Sequence, residues 1–412
     1  MQTAITIILV LSVLIFFHEL GHLIMAKRAG ILCREFALGF GPKLFSFKWG
    51  ETRYSIRLFP LGGYVRMAGE DPEIIDIQLG QSLGIRLNDR GEVTHLLVKE
   101  ALARAEKTGT VRHIDLEEAL TVTLEDEAGE RTRYAVHPRA MIVDGQDEVQ
   151  IAPLNRQFAG KTIGQRFWTI FAGPAMNLVL AVVFFIMAAY VYGVPSEEPV
   201  VGGVEPGTPA DVSGLKEGDR IVAIDGTPVA DWDDLVSKIS ASPNELLQLT
   251  IQRNGDTLTL PVTPASDGGR GKLGIYPEME RTAGKVVSYG FAQFWLFTKA
   301  TFQGFAMLVT GGASLNDLAG PVGIFKMTGD MAAQGFGTLL IWTGLLSINL
   351  AVFNILPIPA LDGGRLVFLL IEALRGKPID PHKESMVHLI GFALLMLLMI
   401  AVTYNDVLRF FG

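Results

Sequence analysis

Cysteine and charged residues are scarce in this chain of 412 residues. The single cysteine, Cys33, excludes an intrachain disulfide and a cysteine-rich zinc site. Asp, Glu, Lys and Arg make up 19% of the chain, against about 25% in typical soluble proteins. The formal net charge is −8 and no stripe of Lys and Arg is present, so nucleic acid is not expected as a partner. Cys33 is expected to be inert, since nothing near it in the sequence activates a thiol.

Long apolar runs accompany this low charge. Hydrophobic residues make up 49% of the chain, and a helix needs about 20 consecutive apolar residues to cross a bilayer. Four runs meet this requirement and predict a polytopic α-helical membrane protein in contact with membrane lipid. They cover residues 4–26, 168–193, 338–358 and 387–404, and the third is expected to continue past a break to about residue 372.

The first run is interpreted as a membrane span rather than a secretory signal peptide. A signal peptide has a basic segment before its apolar core, whereas here Lys27 and Arg28 follow the run and no Lys or Arg precedes it. Because basic residues favour the cytoplasmic side, the N-terminus is predicted to be extracytoplasmic. Four spans and a basic loop near 375–386 then bring the C-terminus to the same side.

A further stretch, residues 289–310, is nearly as apolar but contains Lys299, Gln303 and two internal glycines. It is predicted to be an interfacial helix that lies on the outer face of the membrane. The alternative is a fifth span, which would reverse the sides assigned to everything downstream.

The sequence His-Glu-Leu-Gly-His occupies residues 18–22, inside the first predicted span. Residues four positions apart in a helix share a face, so His18 and His22 can bind one zinc ion. Glu19 lies beside them and can take a proton from the attacking water. Ionisable residues at membrane depth are costly and usually functional. The motif therefore predicts metal-assisted peptide hydrolysis within the membrane, near the cytoplasmic end of the span.

The motif supplies only two ligands, whereas a catalytic zinc site has three protein ligands and one open position. Asp362 is the candidate for the third, because it follows Pro357 and Pro359, which interrupt the third span, and precedes two glycines. A broken helix with a carboxylate at membrane depth is costly without a function. We therefore expect a zinc site formed by His18, His22 and Asp362.

Asn349 and Asn354 are further polar residues in the third span. Each amide could form interhelical hydrogen bonds, or it could hold the substrate backbone or stabilise the oxyanion near zinc. The second role is the preferred interpretation for Asn354, and both stay open for Asn349. The other histidines are expected to be structural, namely His95, His113, His137, His382 and His388.

Three segments outside the spans have distinct patterns. Residues 34–68 alternate short β-type runs with glycine turns, which predicts a hairpin dipping into the bilayer or, alternatively, a soluble hairpin on its surface. Residues 75–155 are polar, with predicted strands flanking a helix from Glu100, and suggest no chemistry. Residues 196–266 resemble a PDZ domain of the circularly permuted bacterial kind, most specifically in GLKEGDRIVAIDG. Such domains bind extended peptide ends at a sheet edge.

Several motifs together resemble the site-2 protease family of intramembrane zinc metalloproteases, in its bacterial regulator-of-sigma-factor branch with one PDZ domain. They occur in family order over nearly the whole chain: HELGH at 18–22, GFGP at 39–42, FPLGGYVRMAGED at 59–71, FAGPAMN at 171–177, the PDZ pattern, LAGPVGI at 318–324 and NILPIPALDGG at 354–364.

The resemblance implies zinc ligation by His18, His22 and Asp362, with Glu19 as the base. It implies a protease of the bacterial cytoplasmic membrane that cleaves single-span membrane proteins. The expected substrates are anti-sigma factors already trimmed outside by a site-1 protease, and remnant signal peptides.

The hairpin at 34–68 matches the membrane-inserted β-element of the family, which would make Gly62 and Gly63 part of a strand that guides the substrate. A substrate helix must unwind before its carbonyls can be reached, and an edge near residues 54–66 is expected to receive the unwound segment. The PDZ domain is expected to exclude substrates with bulky outer domains, or instead to recruit trimmed ends.

Two functions of other classes stay open as alternatives: a non-enzymatic PDZ membrane adaptor with a degenerate site, and a metal or ion transporter. The predicted organisation is a first span with the zinc motif (1–28), a membrane-associated β-hairpin region (29–74), a cytoplasmic insertion (75–165), a second span (166–194), an extracytoplasmic PDZ domain (195–268), an interfacial helix and linker (269–336), a third span with the Leu-Asp-Gly motif (337–374), a cytoplasmic loop (375–386) and a fourth span (387–412).

Overall fold

The computed structural model describes residues 2–70, 77–145, 147–312 and 319–411. Asp71 and Leu318, each part of a motif named above, lie outside the described residues, and so does the side chain of His382.

The chain divides into two compact units. The first comprises the residues up to Leu180 together with Thr301–Ala332 and the residues from Leu346 onward. The second comprises Ala181–Ala300 and Ala333–Leu345. All the residues predicted to act on zinc or substrate belong to the first unit.

Four helices of the described chain are long and apolar enough to cross a membrane, as the sequence predicts: α1, α2, α7 and α9. The predicted third span is two helices, α7 and α8, with the break between them. The α-helices run over Gln2–Arg28 (α1), Ile163–Tyr192 (α2), Pro209–Val212 (α3), Trp232–Ser240 (α4), Ala283–Val309 (α5), Pro321–Ala333 (α6), Phe336–Ile355 (α7), Asp362–Arg375 (α8) and Pro381–Phe411 (α9).

Residues 289–309 of this stretch lie in α5, which is not one of these four candidate spans. Lys299 and Gln303 lie within its apolar run and lower its mean hydropathy. Helix α5 is therefore not counted as a fifth membrane span, and its location at the membrane interface stays a prediction.

Strands β1 (Cys33–Trp49) and β2 (Thr52–Met67) form a long, bent hairpin in the first unit. Phe36 pairs with Val65 and also with Tyr54, so the first part of β1 lies between two segments of β2. The segment of β2 around Gly63 is therefore an outer strand of the hairpin, and β2 is in contact with α1. Large apolar side chains of the hairpin are exposed, namely Phe40, Leu44, Phe45, Phe47, Trp49, Ile56, Leu58 and Phe59.

The insertion forms a six-stranded sheet, five strands of which close into a ring. The strand order is β4-β3-β5-β6-β7-β8, and an additional parallel pairing of β4 with β7 closes the ring around an apolar core, with β8 paired to β7 outside it. Its strands are Ser82–Leu87 (β3), Val93–Val98 (β4), Lys107–Asp115 (β5), Thr121–Glu125 (β6), Arg131–Asp144 (β7) and Asp147–Gln150 (β8).

The helix predicted from Glu100 is wrong as an α-helix. Lys99–Arg104 is a 3₁₀ helix. Because β4 ends at Val98 and β5 begins at Lys107, the chain returns over residues 99–106, a short connection of the kind in which 3₁₀ helices occur. Ala101 is nevertheless buried, so the short helix covers one end of the sheet.

Glu51, in the turn between β1 and β2, links the hairpin to the insertion by hydrogen bonds. Its carboxylate accepts hydrogen bonds from Arg156 at 2.9 and 2.6 Å and from Gln150 at 2.9 Å. The hydrogen bonds from Arg156 lower the pKa of Glu51 to about 2. The carboxylate therefore stays charged at neutral pH, and the turn stays paired to Gln150, the last residue of β8, and to Arg156.

The second unit contains a small β-domain, which lies between α2 and α5 in the sequence. Its main sheet has the order β12-β11-β13-β14, and α3 and α4 lie beside an apolar core that includes Leu235, Leu249 and Ile251. The strands are Val194–Pro195 (β9), Val201–Val204 (β10), Arg220–Ile224 (β11), Thr227–Pro228 (β12), Leu247–Arg253 (β13), Asp256–Val262 (β14), Ala265–Asp267 (β15), Arg270–Lys272 (β16), Ile275–Pro277 (β17) and Met279–Glu280 (β18).

This β-domain extends beyond residue 268, where the sequence pattern ends it. β10 pairs with β17, and β9 pairs with β18 at the base. These four strands are two to four residues long, so any alternation in them is too brief to be read from the sequence. The two ends of the domain meet at the β9–β18 pair.

Candidate metal centre

Helix α1 presents His18, Glu19 and His22 together within the first unit. Their exposed fractions are 9%, 9% and 7%, so all three polar side chains are buried. The rings of His18 and His22 face each other one turn apart, with 3.3 Å between their Nε2 atoms. The predicted shared helix face of the two histidines is therefore what the structure shows.

Asp362 reaches the same point from the start of α8. Its Oδ2 lies 3.2 Å from His18 Nε2 and 3.4 Å from His22 Nε2. One ligand atom from each of the three residues lies within 4.8 Å of the others. Residues some 340 positions apart in sequence thus converge on one point, as the broken-helix pattern predicts.

The break before Asp362 is a tight loop held by close backbone contacts. Ala360 has a left-handed conformation with φ +75°, which costs an L-residue roughly 1–2 kcal/mol. Its N–H donates to His388 Nδ1 at 2.8 Å, so α9 holds the loop in this conformation. A Cβ on Gly364 would lie 2.5 Å from Ile358 O. His388, expected to be structural, is therefore a structural support of the loop that carries Asp362.

Helix α2 packs against the motif through glycines. A Cβ on Gly173 would meet the ring of His22, and a Cβ on Gly21 would meet the backbone of Ala172. His22 Nδ1 lies 2.9 Å from Thr169 O, and because a carbonyl only accepts, the ring donates its Nδ1–H there. The sequence pattern FAGPAMN is thus a contact surface for His22, a role that its residues alone did not indicate.

The three residues fit a zinc ion. His22, with its proton on Nδ1, turns a free Nε2 lone pair toward the cluster. Asp362 Oδ2 is buried without a hydrogen-bond partner, a costly state that a bound cation would relieve. Two imidazole nitrogens and one carboxylate oxygen are a donor set that zinc uses in catalytic sites.

Gly63 of β2 lies against Glu19. A Cβ at this position would be 2.7 Å from Glu19 Cγ and 2.9 Å from Ala37 O, so only glycine allows the hairpin to approach α1 here. A Cβ at Gly62 would lie 2.7 Å from Cε2 of the Phe40 ring. The structure brings Gly63, but not Gly62, into contact with the predicted base.

The two predicted substrate amides have different surroundings. Asn349 Oδ1 accepts a hydrogen bond from Thr301 Oγ1 at 3.1 Å, which is the interhelical alternative. Asn354 Nδ2 donates to Leu350 O at 3.0 Å, one turn back in the same helix. A substrate role for either residue stays a prediction.

Two histidines and a neighbouring glutamate on a candidate membrane span, joined by an aspartate from α8, define a class, the zinc metalloproteases of the membrane. Residues 6–398 match the family described as Peptidase family M50, and the chain belongs to this family.

Curated relatives match this chain over its whole length. Zinc metalloprotease RasP of Geobacillus kaustophilus is 46% identical over 417 residues, covering 100% of this chain and 99% of the relative. Regulator of sigma-W protease RasP of Bacillus subtilis is 44% identical over 418 residues, with 100% and 99% covered. Probable protease eep of Enterococcus faecalis is 38% identical over 422 residues, with both chains fully covered.

The predicted family, enzyme class and cofactor are confirmed. The chain is an intramembrane zinc metalloprotease of the site-2 type, and zinc is its cofactor. A protease function takes the place of the adaptor and transporter alternatives.

Proposed function

We propose that His18, His22 and Asp362 hold the catalytic zinc and that Glu19 is the base. The observation that carries this assignment is the convergence of two Nε2 atoms and a buried, unpartnered Oδ2 on one point. The proposed reaction is hydrolysis of a peptide bond in or near the transmembrane segment of a single-span membrane protein.

Glu19 has the position that a general base needs. It follows His18 directly and is 9% exposed, so bulk water does not compete at its carboxylate. Bound zinc supplies Lewis-acid activation of the water and of the scissile carbonyl. Glu19 would accept a proton of the water as its oxygen bonds to the carbonyl carbon, and would return that proton to the leaving nitrogen, so that the C–N bond breaks and the amine departs.

We propose that the β2 segment around Gly63 receives the substrate as an added strand. Unwound substrate backbone in the membrane needs hydrogen-bond partners, and a sheet edge supplies them. Gly63 brings this segment next to Glu19, and Gly62 belongs to the same segment. Asn354 is proposed to hold the substrate backbone, whereas the hydrogen bond of Asn349 to Thr301 favours its structural alternative.

Gly63→Ala is expected to lower the cleavage rate about ten- to hundredfold, because a displacement of about 1 Å at a catalytic group can cost this much. The added Cβ would lie 2.7 Å from Glu19 Cγ and must push it or the hairpin aside. Zinc content should be unchanged. Gly164→Ala is the matched control, since a Cβ there meets nothing within 4 Å. An unchanged rate in Gly63→Ala would contradict the close approach to Glu19.

The proposed substrates are anti-sigma factors trimmed by a site-1 protease, and remnant signal peptides. One relative carries the name regulator of sigma-W protease, which supports the first class. The proposed location is the bacterial cytoplasmic membrane, with both termini extracytoplasmic. Lys27 and Arg28, at the end of α1, support a cytoplasmic position for the nearby zinc site.

A cleavage assay tests the reaction and its location in the substrate. The purified chain would be reconstituted with a single-span test substrate, and the products identified by mass spectrometry. We expect a cut in or near the apolar segment, its loss with a zinc chelator and its recovery when zinc is added back. A cut confined to the soluble part of the substrate would contradict intramembrane hydrolysis.

The β-domain of the second unit is proposed to be an extracytoplasmic PDZ domain. Two elements of the domain, α4 and the short strand β17, support a peptide-binding edge. Among the described strands, β17 pairs only with β10, so its other edge is open to a peptide. We propose that this domain excludes substrates with bulky outer domains.

Deleting residues 196–278 tests exclusion against recruitment. A short linker can replace the domain because β9 and β18 pair at its base. Exclusion predicts that the deletion variant cleaves untrimmed substrate, which the full chain leaves intact. Loss of cleavage of trimmed substrate, with zinc content retained, would instead establish recruitment.

A further inference from the structure

Asn177 is a buried amide that faces the first histidine of the zinc motif. It ends the FAGPAMN pattern on α2 and is 0% exposed. Its Nδ2 lies 3.2 Å from His18 Nδ1, and its Oδ1 is buried without a hydrogen-bond partner. A buried, unpaired amide oxygen costs free energy, so its presence beside a metal ligand needs a cause.

His22 shows what a ligand in this site requires. Its Nδ1–H donates to Thr169 O at 2.9 Å, and this leaves the Nε2 lone pair free for the metal. A carbonyl can only accept, so the hydrogen bond allows one tautomer alone. Helix α2 thus fixes the second histidine through its backbone.

His18 needs the same tautomer, and an amide nitrogen opposite Nδ1 cannot provide it. If Nδ2 donates, then Nδ1 accepts and the proton of the neutral ring lies on Nε2, where it blocks ligation. Turning the amide by 180° exchanges Oδ1 and Nδ2 in nearly the same space. The turned Oδ1 then accepts the Nδ1–H of His18, and Nδ2 takes the position that Oδ1 had.

We propose that Asn177 is a positioning residue for zinc: its amide oxygen accepts the Nδ1–H of His18 and directs Nε2 to the metal. The inference rests on the proposed His18, His22 and Asp362 site. Helix α2 then orients both histidines, His22 through the Thr169 carbonyl and His18 through the Asn177 side chain. Asn177 acts through His18 and is not proposed as a metal ligand.

The backbone at Asn177 is itself held in place. Its carbonyl accepts a hydrogen bond from Ser347 Oγ of α7 at 2.7 Å, and Ser347 is 0% exposed. Ser347→Ala removes this helix contact without removing the partner of His18. It is therefore the matched control for a purely structural effect at Asn177.

The test is zinc affinity of the purified full-length protein in detergent, measured by competition with a chelator. Removal of a partner that orients a metal ligand costs about 10–100-fold in metal affinity, and we expect this loss for Asn177→Leu. Asn177→Asp keeps an acceptor and cannot donate, so it is expected to hold zinc within about threefold of the wild-type affinity. Ser347→Ala is expected to retain the wild-type affinity.

Each outcome decides between the roles. Wild-type zinc affinity in folded Asn177→Leu, or an equal loss in Ser347→Ala, would overturn the inference. Loss of zinc from folded Asn177→Asp would show that the amide acts as a donor. This result would also overturn the inference, whether or not Asn177→Leu folds. Zinc retention in Asp362→Ala would instead refute the zinc site. Zinc loss in Asp362→Ala together with zinc retention in Asn177→Leu would refute the positioning role alone.

Discussion

Glu19→Gln is expected to abolish peptide hydrolysis and to leave zinc bound. Glutamine has nearly the same shape as glutamate but cannot accept the proton of the attacking water. A positioned general base contributes about 10²–10⁴-fold to a rate, so the variant should lose at least about a hundredfold. The measurement is the initial cleavage rate of a reconstituted single-span substrate, with the zinc content of the same preparation determined in parallel.

The matched control for this substitution is Glu118→Gln. Glu118 is exposed on the insertion, and the same change in charge there should leave the rate unchanged. Equal activity of Glu19→Gln and the wild type would exclude Glu19 as the base. Loss of zinc from Glu19→Gln would show that Glu19 acts on the metal rather than on the proton.

Much of the metal cluster could be predicted from local rules. The spacing of His18 and His22 dictates a shared helix face, whatever the rest of the fold does. The prolines at 357 and 359 dictate a break before Asp362. Burial of polar groups at membrane depth requires that such groups meet, and the structure brings them to 3.2–3.4 Å.

The supports of that cluster could not be predicted, because they depend on which helices are neighbours. Nothing local in FAGPAMN says that Gly173 lies against His22 or that Asn177 faces His18. The hydrogen bond from Ala360 to His388 joins a loop to a helix that begins later in the chain. Each is a tertiary contact between residues whose own neighbours in sequence are unremarkable.

The insertion shows the same limit in its fold. Strands β4 and β6 and the first part of β7 could be predicted from their residues, but the parallel pairing of β4 with β7 joins residues 43–46 positions apart and leaves no periodic signal. The short return over residues 99–106 depends on that pairing and on the β3–β5 contact. The helix-like composition at Glu100 therefore gives a 3₁₀ helix in this connection rather than an α-helix.

Asp362→Ala is expected to weaken zinc binding by at least about a hundredfold, because loss of a mere orienting partner already costs about 10–100-fold. Asp362 Oδ2 is the only oxygen in the described cluster, and it contacts both Nε2 atoms. Two histidines alone leave the ion without the carboxylate charge and with two ligands instead of three. Zinc content of the purified variant, and its loss on chelator challenge, measure the effect.

Asp330→Ala is the matched control, because Asp330 is an exposed aspartate on α6 and should not affect zinc. Asp362→Asn adds a graded variant: it keeps an oxygen at the same position but removes the charge, so its affinity should fall between those of the alanine variant and the wild type. Full zinc content in Asp362→Ala would refute the three-residue site. Among the described residues, no other carboxylate joins the two histidines. Loss of zinc in Asp362→Ala, with normal retention in Asp330→Ala, would therefore mean that the aspartate after the break between α7 and α8 completes the metal site of α1.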